Sequence, residues 1–227
     1  MENKIETLKG EELMLTYKIG QPAQTDNKPG LIVLLHGIGS NEDDLFRLKD
    51  SLPSGFVIVS ARAPYTISPG RYTWFELAHQ AGKPVINAEQ AEKSRLVLNT
   101  FISQLTERYG IDDKNIYLGG FSQGGIMSYS VGLTFPQKLK GIFVLSSRLL
   151  PEVKPLIKVG PVLEKLRAFI AHGTEDNVLP VHYAREATSY LEDLLPLIEY
   201  HEYEMEHRTG QEELADLNSW IEAGVSE

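Results

Sequence analysis

The segment Gly119-Gly120-Phe121-Ser122-Gln123-Gly124-Gly125 constrains the fold of this chain more than any other. An apolar run, Ile116-Tyr117-Leu118, leads into it, and a helix-like run begins near Ile126. Gly120, Ser122 and Gly124 form G-x-S-x-G, the pattern of a strand that turns sharply into a helix with a serine at the apex. A side chain at either flanking glycine would strike neighbouring backbone and block the turn. The pattern therefore predicts a buried strand, then Ser122 thrust out of the sheet, then a helix. A serine so placed is a candidate nucleophile.

The rest of the chain supplies a sheet for that turn to sit on. Leu13 to Ile19 alternates like an edge strand, and Gln21 to Gly30 reads as a turn rich in Pro, Asn and Asp. Leu31 to Leu35 and Phe56 to Val59 are continuous apolar runs, as expected of strands buried on both faces. Asn41 to Lys49 reads as a helix with Asn41 as N-cap and acidic residues in its first turn. Ala61 to Lys83 reads as a long loop, and loops of that length are usually functional. Ala88 to Tyr109 is a long helix capped by Gly110, with Val97, Phe101 and Leu105 on one stripe. Further strands are expected at Asn115 to Leu118, Gly141 to Leu145, Arg167 to Ala171 and Leu197 to Met205. Helices are expected at Val181 to Leu195, stopped by Pro196, and at Gln211 to Ile221. Alternating strands and helices imply an α/β fold with a mainly parallel central sheet covered by helices on both faces.

Composition narrows the function classes. The chain has 227 residues, 42% of them hydrophobic, enough for one well-buried core, so a single domain over residues 1–227 is expected. Its 31 acidic residues outnumber its 22 Lys and Arg, and the formal charge is -9. Nucleic acid and anionic membranes are therefore poor partners, because phosphate binding relies on clustered basic residues. With no cysteine, thiolate metal sites, disulfides and a cysteine nucleophile are ruled out. The polar start Met1-Glu2-Asn3-Lys4-Ile5-Glu6 has no apolar segment of the secretory kind. No apolar run approaches the ~20 residues that span a bilayer. The expectation is a soluble, cytoplasmic protein.

A serine hydroxyl needs a base to take its proton, an acid to orient that base, and donors for the oxyanion. After this kind of elbow the acid and then the base come in chain order, on loops after later strands. Asp176 is the candidate acid, in the turn after Phe169-Ile170-Ala171. His207 is the candidate base, just past the last strand and before Gly210. His36 and His172 each precede a glycine at a strand end and read as turn formers. His79, His182 and His201 fall in a loop, at a helix start and within a strand. His201 and His207 look like a metal pair, but six residues of strand separate them by about 20 Å. For the oxyanion, one N–H should come from Gln123, at a helix start, and the other from Ile38, in His36-Gly37-Ile38-Gly39 after the first buried strand. Tyr72, Trp74 and Phe75 are candidate substrate-binding residues, with ordinary core aromatics as the equal reading.

These residues together resemble the phospholipase/carboxylesterase group of α/β-hydrolases, which includes acyl-protein thioesterases. The likeness runs from about Pro29 to Trp220. It rests on His36 to Gly39 with Asp44-Leu45, on Tyr109 to Asp112, on Ile116 to Gly125, on His172 to Asp176, and on His207. It implies a serine esterase without a cofactor, with Ser122, Asp176 and His207 as triad and Ile38 and Gln123 as oxyanion donors. Two places depart from the group. Glu204-Met205-Glu206 stands where the group has glycines before the histidine. Ser146-Ser147-Arg148 stands where Ser-Gly is common, in a segment that borders substrate.

The expected function is hydrolysis of small to medium acyl esters through an acyl-enzyme on Ser122. Acyl thioesterase or lysophospholipase activity is the alternative within the class. From another class, a ligand-binding protein could keep this scaffold without turnover. The expected partner is a small-molecule ester, with no nucleic acid and no transmembrane segment. Residues 61–87 are expected on the substrate side, and the part from Ala61 to Phe75 reads as a pocket wall, a lid or a homodimer surface.

Overall fold

The computed structural model describes residues 13–22, 28–80 and 83–225. The polar start at Met1 to Glu6 and residues 23–27 of the expected turn lie outside them. Along the chain come β1 (Tyr17–Gly20), β2 (Gly30–Leu35), α1 (Glu42–Phe46) and β3 (Phe56–Ala61). Two hairpins come next: β4 (Tyr65–Ser68) with β5 (Arg71–Thr73), and β6 (Leu77–Gln80) with β7 (Lys83–Ile86). After them are α2 (Ala88–Tyr109), β8 (Ile116–Phe121), α3 (Gln123–Gly132) and β9 (Gly141–Leu145). The chain continues through β10 (Arg167–Gly173), α4 (His182–Leu191), β11 (Ile198–Tyr203) and α5 (Gln211–Val225).

Seven strands form one sheet in the order β1-β3-β2-β8-β9-β10-β11. Only β1 runs antiparallel to its neighbour. Val33 pairs with Val59 on one side and Leu118 on the other, and Val144 lies between Gly120 and Ile170. Period-two alternation sends Leu31, Val33 and Leu35 to one face of the sheet and Ile32 and Leu34 to the other. The first face is covered by α2, α3 and α4 through Leu98, Phe101, Met127, Val131, Ala187 and Leu191. The second is covered by α1 and α5 through Leu45, Leu217, Trp220 and Ile221. Each large apolar side chain buried in these layers contributes about 1.5–3 kcal/mol. This is the mainly parallel, two-sided α/β architecture the alternation implied.

Local chemistry sets the element ends. Asn41 caps α1 by accepting from the Asp43 N–H, and Gly110 ends α2 in the left-handed region at φ 60°. The buried stripe of α2 runs through Leu98, Phe101, Ile102 and Leu105, and Val97 sits at its half-buried edge. The helix after the elbow starts at Gln123, three residues before the expected Ile126, because Gly124 and Gly125 belong to it. Helix α4 ends at Leu191 rather than at the expected Leu195; the N–H groups of Leu194 and Leu195 both turn back to the Leu191 carbonyl.

The expected loop from Ala61 to Lys83 is corrected. β3 runs through Ala61, and most of the chain from Tyr65 to Ile86 is paired as two antiparallel hairpins, with residues 81–82 outside the described set. The Pro69-Gly70 turn, with Gly70 at φ 78°, lets Tyr65 to Ser68 fold back on Arg71 to Thr73. Strands this short lack enough alternation to stand out from a loop in sequence. No helix among the described residues is long and apolar enough to cross a membrane.

Candidate active site

The sharp turn after β8 depends on missing side chains. A Cβ on Gly124 would lie 1.9 Å from the Leu35 carbonyl oxygen, and one on Gly120 would lie 2.5 Å from the Gly124 carbonyl carbon. The strand before the serine and the helix after it therefore pack backbone to backbone beside β2. Ser122 between them adopts φ 54°, ψ -117°. Such a conformation costs a non-glycine residue about 1–3 kcal/mol and persists only where the surroundings hold it. The Ser122 N–H donates to the Leu145 carbonyl at 2.9 Å, and the Ser147 hydroxyl donates to the Ser122 carbonyl at 2.7 Å. Ser147, from the segment that departs from the family pattern, is thus a brace under the elbow.

Three segments that are distant in sequence meet at the Ser122 hydroxyl. His207 Nε2 lies 3.0 Å from Ser122 Oγ, and His207 Nδ1 lies 2.6 Å from Asp176 Oδ2. Asp176 Oδ1 accepts from the N–H groups of Val178 and Leu179, both at 2.8 Å. Asp176 can only accept, so His207 Nδ1 carries the proton and Nε2 is left free to accept from the serine. Asp176 and Ser122 are buried, whereas the His207 side chain keeps 16% of its surface exposed. The Phe121 ring packs 4.7 Å from the imidazole. Glu204-Met205-Glu206 reaches His207 without glycine. The close approach falls on Gly173 instead, where a Cβ would lie 2.1 Å from the Met205 carbonyl oxygen.

His172 also reaches this group. Its Nε2 donates to the Leu179 carbonyl at 2.7 Å and lies 3.2 Å from Asp176 Oδ2. Burial holds its imidazole below the ordinary histidine value, against the pull of the Leu179 carbonyl and Asp176. Sequence reading took it for a turn former and missed this contact. Its spacing of four from Asp176, across a turn, was the available signal.

The loop after β2 lies on the other side of the serine. A Cβ on Gly37 would be 3.4 Å from the Phe121 ring and 3.5 Å from Ser122 Cβ. Among the described residues, neither the Ile38 nor the Gln123 N–H meets a backbone acceptor. His36 shapes the loop from beneath: Nε2 accepts from the Ala63 N–H at 3.0 Å and Nδ1 donates to the Gly37 carbonyl at 2.7 Å. Burial keeps this imidazole below its ordinary value too, hence neutral. β5 pairs with the loop from above, Gly39 N–H to the Tyr72 carbonyl and Tyr72 N–H to the Ser40 carbonyl. The Gln123 side chain ties the same hairpin to the elbow, accepting from the Trp74 N–H at 2.9 Å and donating to the Phe75 carbonyl at 2.8 Å.

The aromatic candidates for substrate binding separate here. Trp74 and Phe75 are 0% and 1% exposed and belong to the core, so no face of either ring is open to a ligand. Of the two readings the sequence leaves open, burial supports core aromatics for both. The Trp74 indole instead donates to the His36 carbonyl at 3.0 Å. Tyr72 is half-buried with the Arg62 guanidinium 4.5 Å over its ring. His201 of the edge strand β11 stacks on Phe169 of β10.

Comparison with known proteins gives the family and the fold. The phospholipase/carboxylesterase family model matches residues 19–224. The acyl-protein thioesterase 1 of Kluyveromyces lactis is 28% identical over 216 residues, covering 88% of this chain and 92% of that protein. The crystal structure of esterase PE8 superposes with TM-score 0.78 at 26% identity, covering 92% of this chain and 98% of the other. A carboxylesterase from Mesorhizobium loti shares the fold with TM-score 0.82 at 18% identity, covering 97% and 99%.

Proposed function

The chain belongs to the phospholipase/carboxylesterase family of α/β-hydrolases, and from that premise we propose that it hydrolyses small to medium acyl esters through an acyl-enzyme on Ser122. As a serine hydrolase of carboxylic esters it needs one activated hydroxyl. The observation that carries the reading is the continuous relay from Asp176 through His207 to Ser122, with links of 2.6 and 3.0 Å.

In this reading Ser122 Oγ attacks the ester carbonyl as its proton passes to His207 Nε2. Asp176 holds the imidazole in the tautomer that can accept and stabilises the imidazolium that forms. The Ile38 and Gln123 N–H groups receive the negative charge that develops on the carbonyl oxygen. His207 then protonates the departing alcohol, and water repeats the sequence on the acyl-enzyme. A strained, braced serine suits this, because its hydroxyl is oriented before substrate arrives.

Hydrolysis of a p-nitrophenyl acyl ester by wild type and Ser122→Ala tests the proposal. The variant should keep the fold and lose at least about 10⁴-fold in kcat. Full activity in it would sink the reading. Stoichiometric labelling of Ser122 by a fluorophosphonate without steady-state turnover would favour a ligand-binding protein on this scaffold instead. A second reading is thioester hydrolysis, favoured by the likeness to acyl-protein thioesterase 1 of Kluyveromyces lactis. Matched oxo- and thioesters of one acyl chain, compared by kcat/KM, separate the two.

A further inference from the structure

Asp176 has to present one oxygen to His207 in a fixed direction, and the turn that carries it is built around a second histidine. His172 is fully buried at the end of β10, opposite Glu202 of β11. Its Nε2 faces two groups that can only accept, the Leu179 carbonyl at 2.7 Å and Asp176 Oδ2 at 3.2 Å. That nitrogen must therefore carry a hydrogen. Its Nδ1 is buried with no hydrogen-bond partner among the described residues. A bare lone pair fits there, whereas a bare N–H would be an orphaned donor. Both nitrogens thus select one species, the neutral Nε2–H tautomer.

This tautomer closes the acid's turn from both ends. Asp176 Oδ1 takes the Val178 and Leu179 N–H groups, and the Leu179 carbonyl takes His172 Nε2–H. Oδ2 is left with His207 Nδ1 in front and the edge of the His172 N–H dipole beside it. The charged or titratable groups that face His172 are Asp176, His207 and Glu202, and Glu202 is itself paired with Arg185.

We propose that His172 is a positioning residue for Asp176, its Nε2–H locking the turn from residue 176 to 179 and tempering Oδ2 as the acceptor of His207. The proposal rests on the reading of Ser122, Asp176 and His207 as the catalytic relay. Removing the imidazole would free the turn and leave Oδ2 a stronger acceptor. The hydrogen bond from His207 to Oδ2 would then tighten, which the acid limb of kcat/KM reads.

The test uses the full chain with a p-nitrophenyl acyl ester, active sites counted by fluorophosphonate and folding checked by thermal denaturation. His172→Leu should lower kcat about 10- to 100-fold with KM little changed, the scale of a small misplacement in a catalytic group. It should also move the acid limb of kcat/KM to higher pH. His172→Gln, whose amide nitrogen can reach the Leu179 carbonyl, should restore most of the rate and the limb. In the wild-type protein, nitrogen NMR should find the neutral Nε2–H tautomer of His172, a result that depends on no variant folding. Wild-type kcat and an unmoved limb in His172→Leu, or an Nδ1–H tautomer, would overturn the proposal. So would a His172→Gln variant as slow as His172→Leu with its limb unmoved. Ser122→Ala is run beside them. Activity surviving there would overturn the catalytic reading itself, whereas an inactive Ser122→Ala beside an unaffected His172→Leu overturns only the role of His172.

Discussion

The loop that carries Ile38 is tied to β5 mainly through backbone, whereas the turns that carry Asp176 and His207 add titratable side chains to their backbone bonds, Thr174 N–H to the Tyr203 carbonyl and Glu175 N–H to the Met205 carbonyl. On the Ile38 side, Gly39 and Ser40 pair with Tyr72 much as strands pair, and His36, a neutral buried ring, accepts from the Ala63 N–H and donates to the Gly37 carbonyl. On the other side, Asp176, His172 and His207 hold one another, and Glu213 accepts from the Gly210 N–H at 3.1 Å. Backbone pairing survives most substitutions and is insensitive to pH. Titratable side chains lose their geometry one residue at a time and respond to protons. The side proposed to move protons is therefore the more exposed to both mutation and pH.

The largest expected effect falls on the side-chain half. Asp176→Asn keeps the shape but lets His207 take the wrong tautomer, and kcat should drop about 10⁴-fold, roughly 5.5 kcal/mol of barrier. Steady-state kinetics with thermal denaturation as control would read it. A loss below tenfold would show that Asp176 is not the orienting acid. Next is Gly124→Ala at the junction of the halves, where the new methyl meets the Leu35 carbonyl oxygen. Destabilisation of about 4 kcal/mol is expected in urea unfolding, and a near-neutral result would mean that the elbow yields.

Gln123→Ala probes a side chain that ties the Ile38 side to the elbow. It leaves the buried Trp74 N–H without its acceptor and removes one of the two donors to the Phe75 carbonyl, the Thr73 hydroxyl remaining, and should cost about 3 kcal/mol, while the Gln123 N–H remains. Unchanged stability would show that the hairpin needs no tie to the elbow.

Glu213 gives the pH contrast its sign. Burial, only partly offset by the Gly210 N–H, raises its carboxyl from 4.5 to about 7. The folded state thus keeps this proton to higher pH than the unfolded chain. The cost of burying the carboxylate is absent below the ordinary carboxylate range, grows as pH rises, and is complete above about 7. Glu213→Gln should match wild type at pH 4 and be more stable at pH 8 by up to about 3 kcal/mol. Parallel stability–pH curves would refute this. The smallest effect belongs to Ile38→Ala. Its side chain is 43% exposed and its N–H is unchanged, so kcat should move less than about threefold. A large loss would mean that the side chain itself contacts substrate.

Much of this was legible without coordinates. Ser122, Asp176 and His207 stood out because each sits at a strand end, in chain order. Gly120 and Gly124 stood out because a sharp strand-to-helix turn admits no Cβ. Boundaries were read less well where structure is short or irregular, as in the β4 to β7 hairpins and the last turn of α4. His172 was read as a turn former, which it is. A spacing of four across a turn hints that it also faces Asp176, but only the folded chain shows the contact. Trp74 and Phe75 look in sequence like any aromatic pair beside a site, and only packing against α2 and the elbow puts them inside.

The sequence by itself determined the alternation of strands and helices, the elbow at Ser122 and the order of the relay, because these arise from local sterics and hydrophobic period. The tertiary structure alone decided which donors surround Asp176, which aromatics are interior and why Glu213 holds its proton. Those properties belong to the burial and distances between segments far apart in the chain, and no local pattern encodes them.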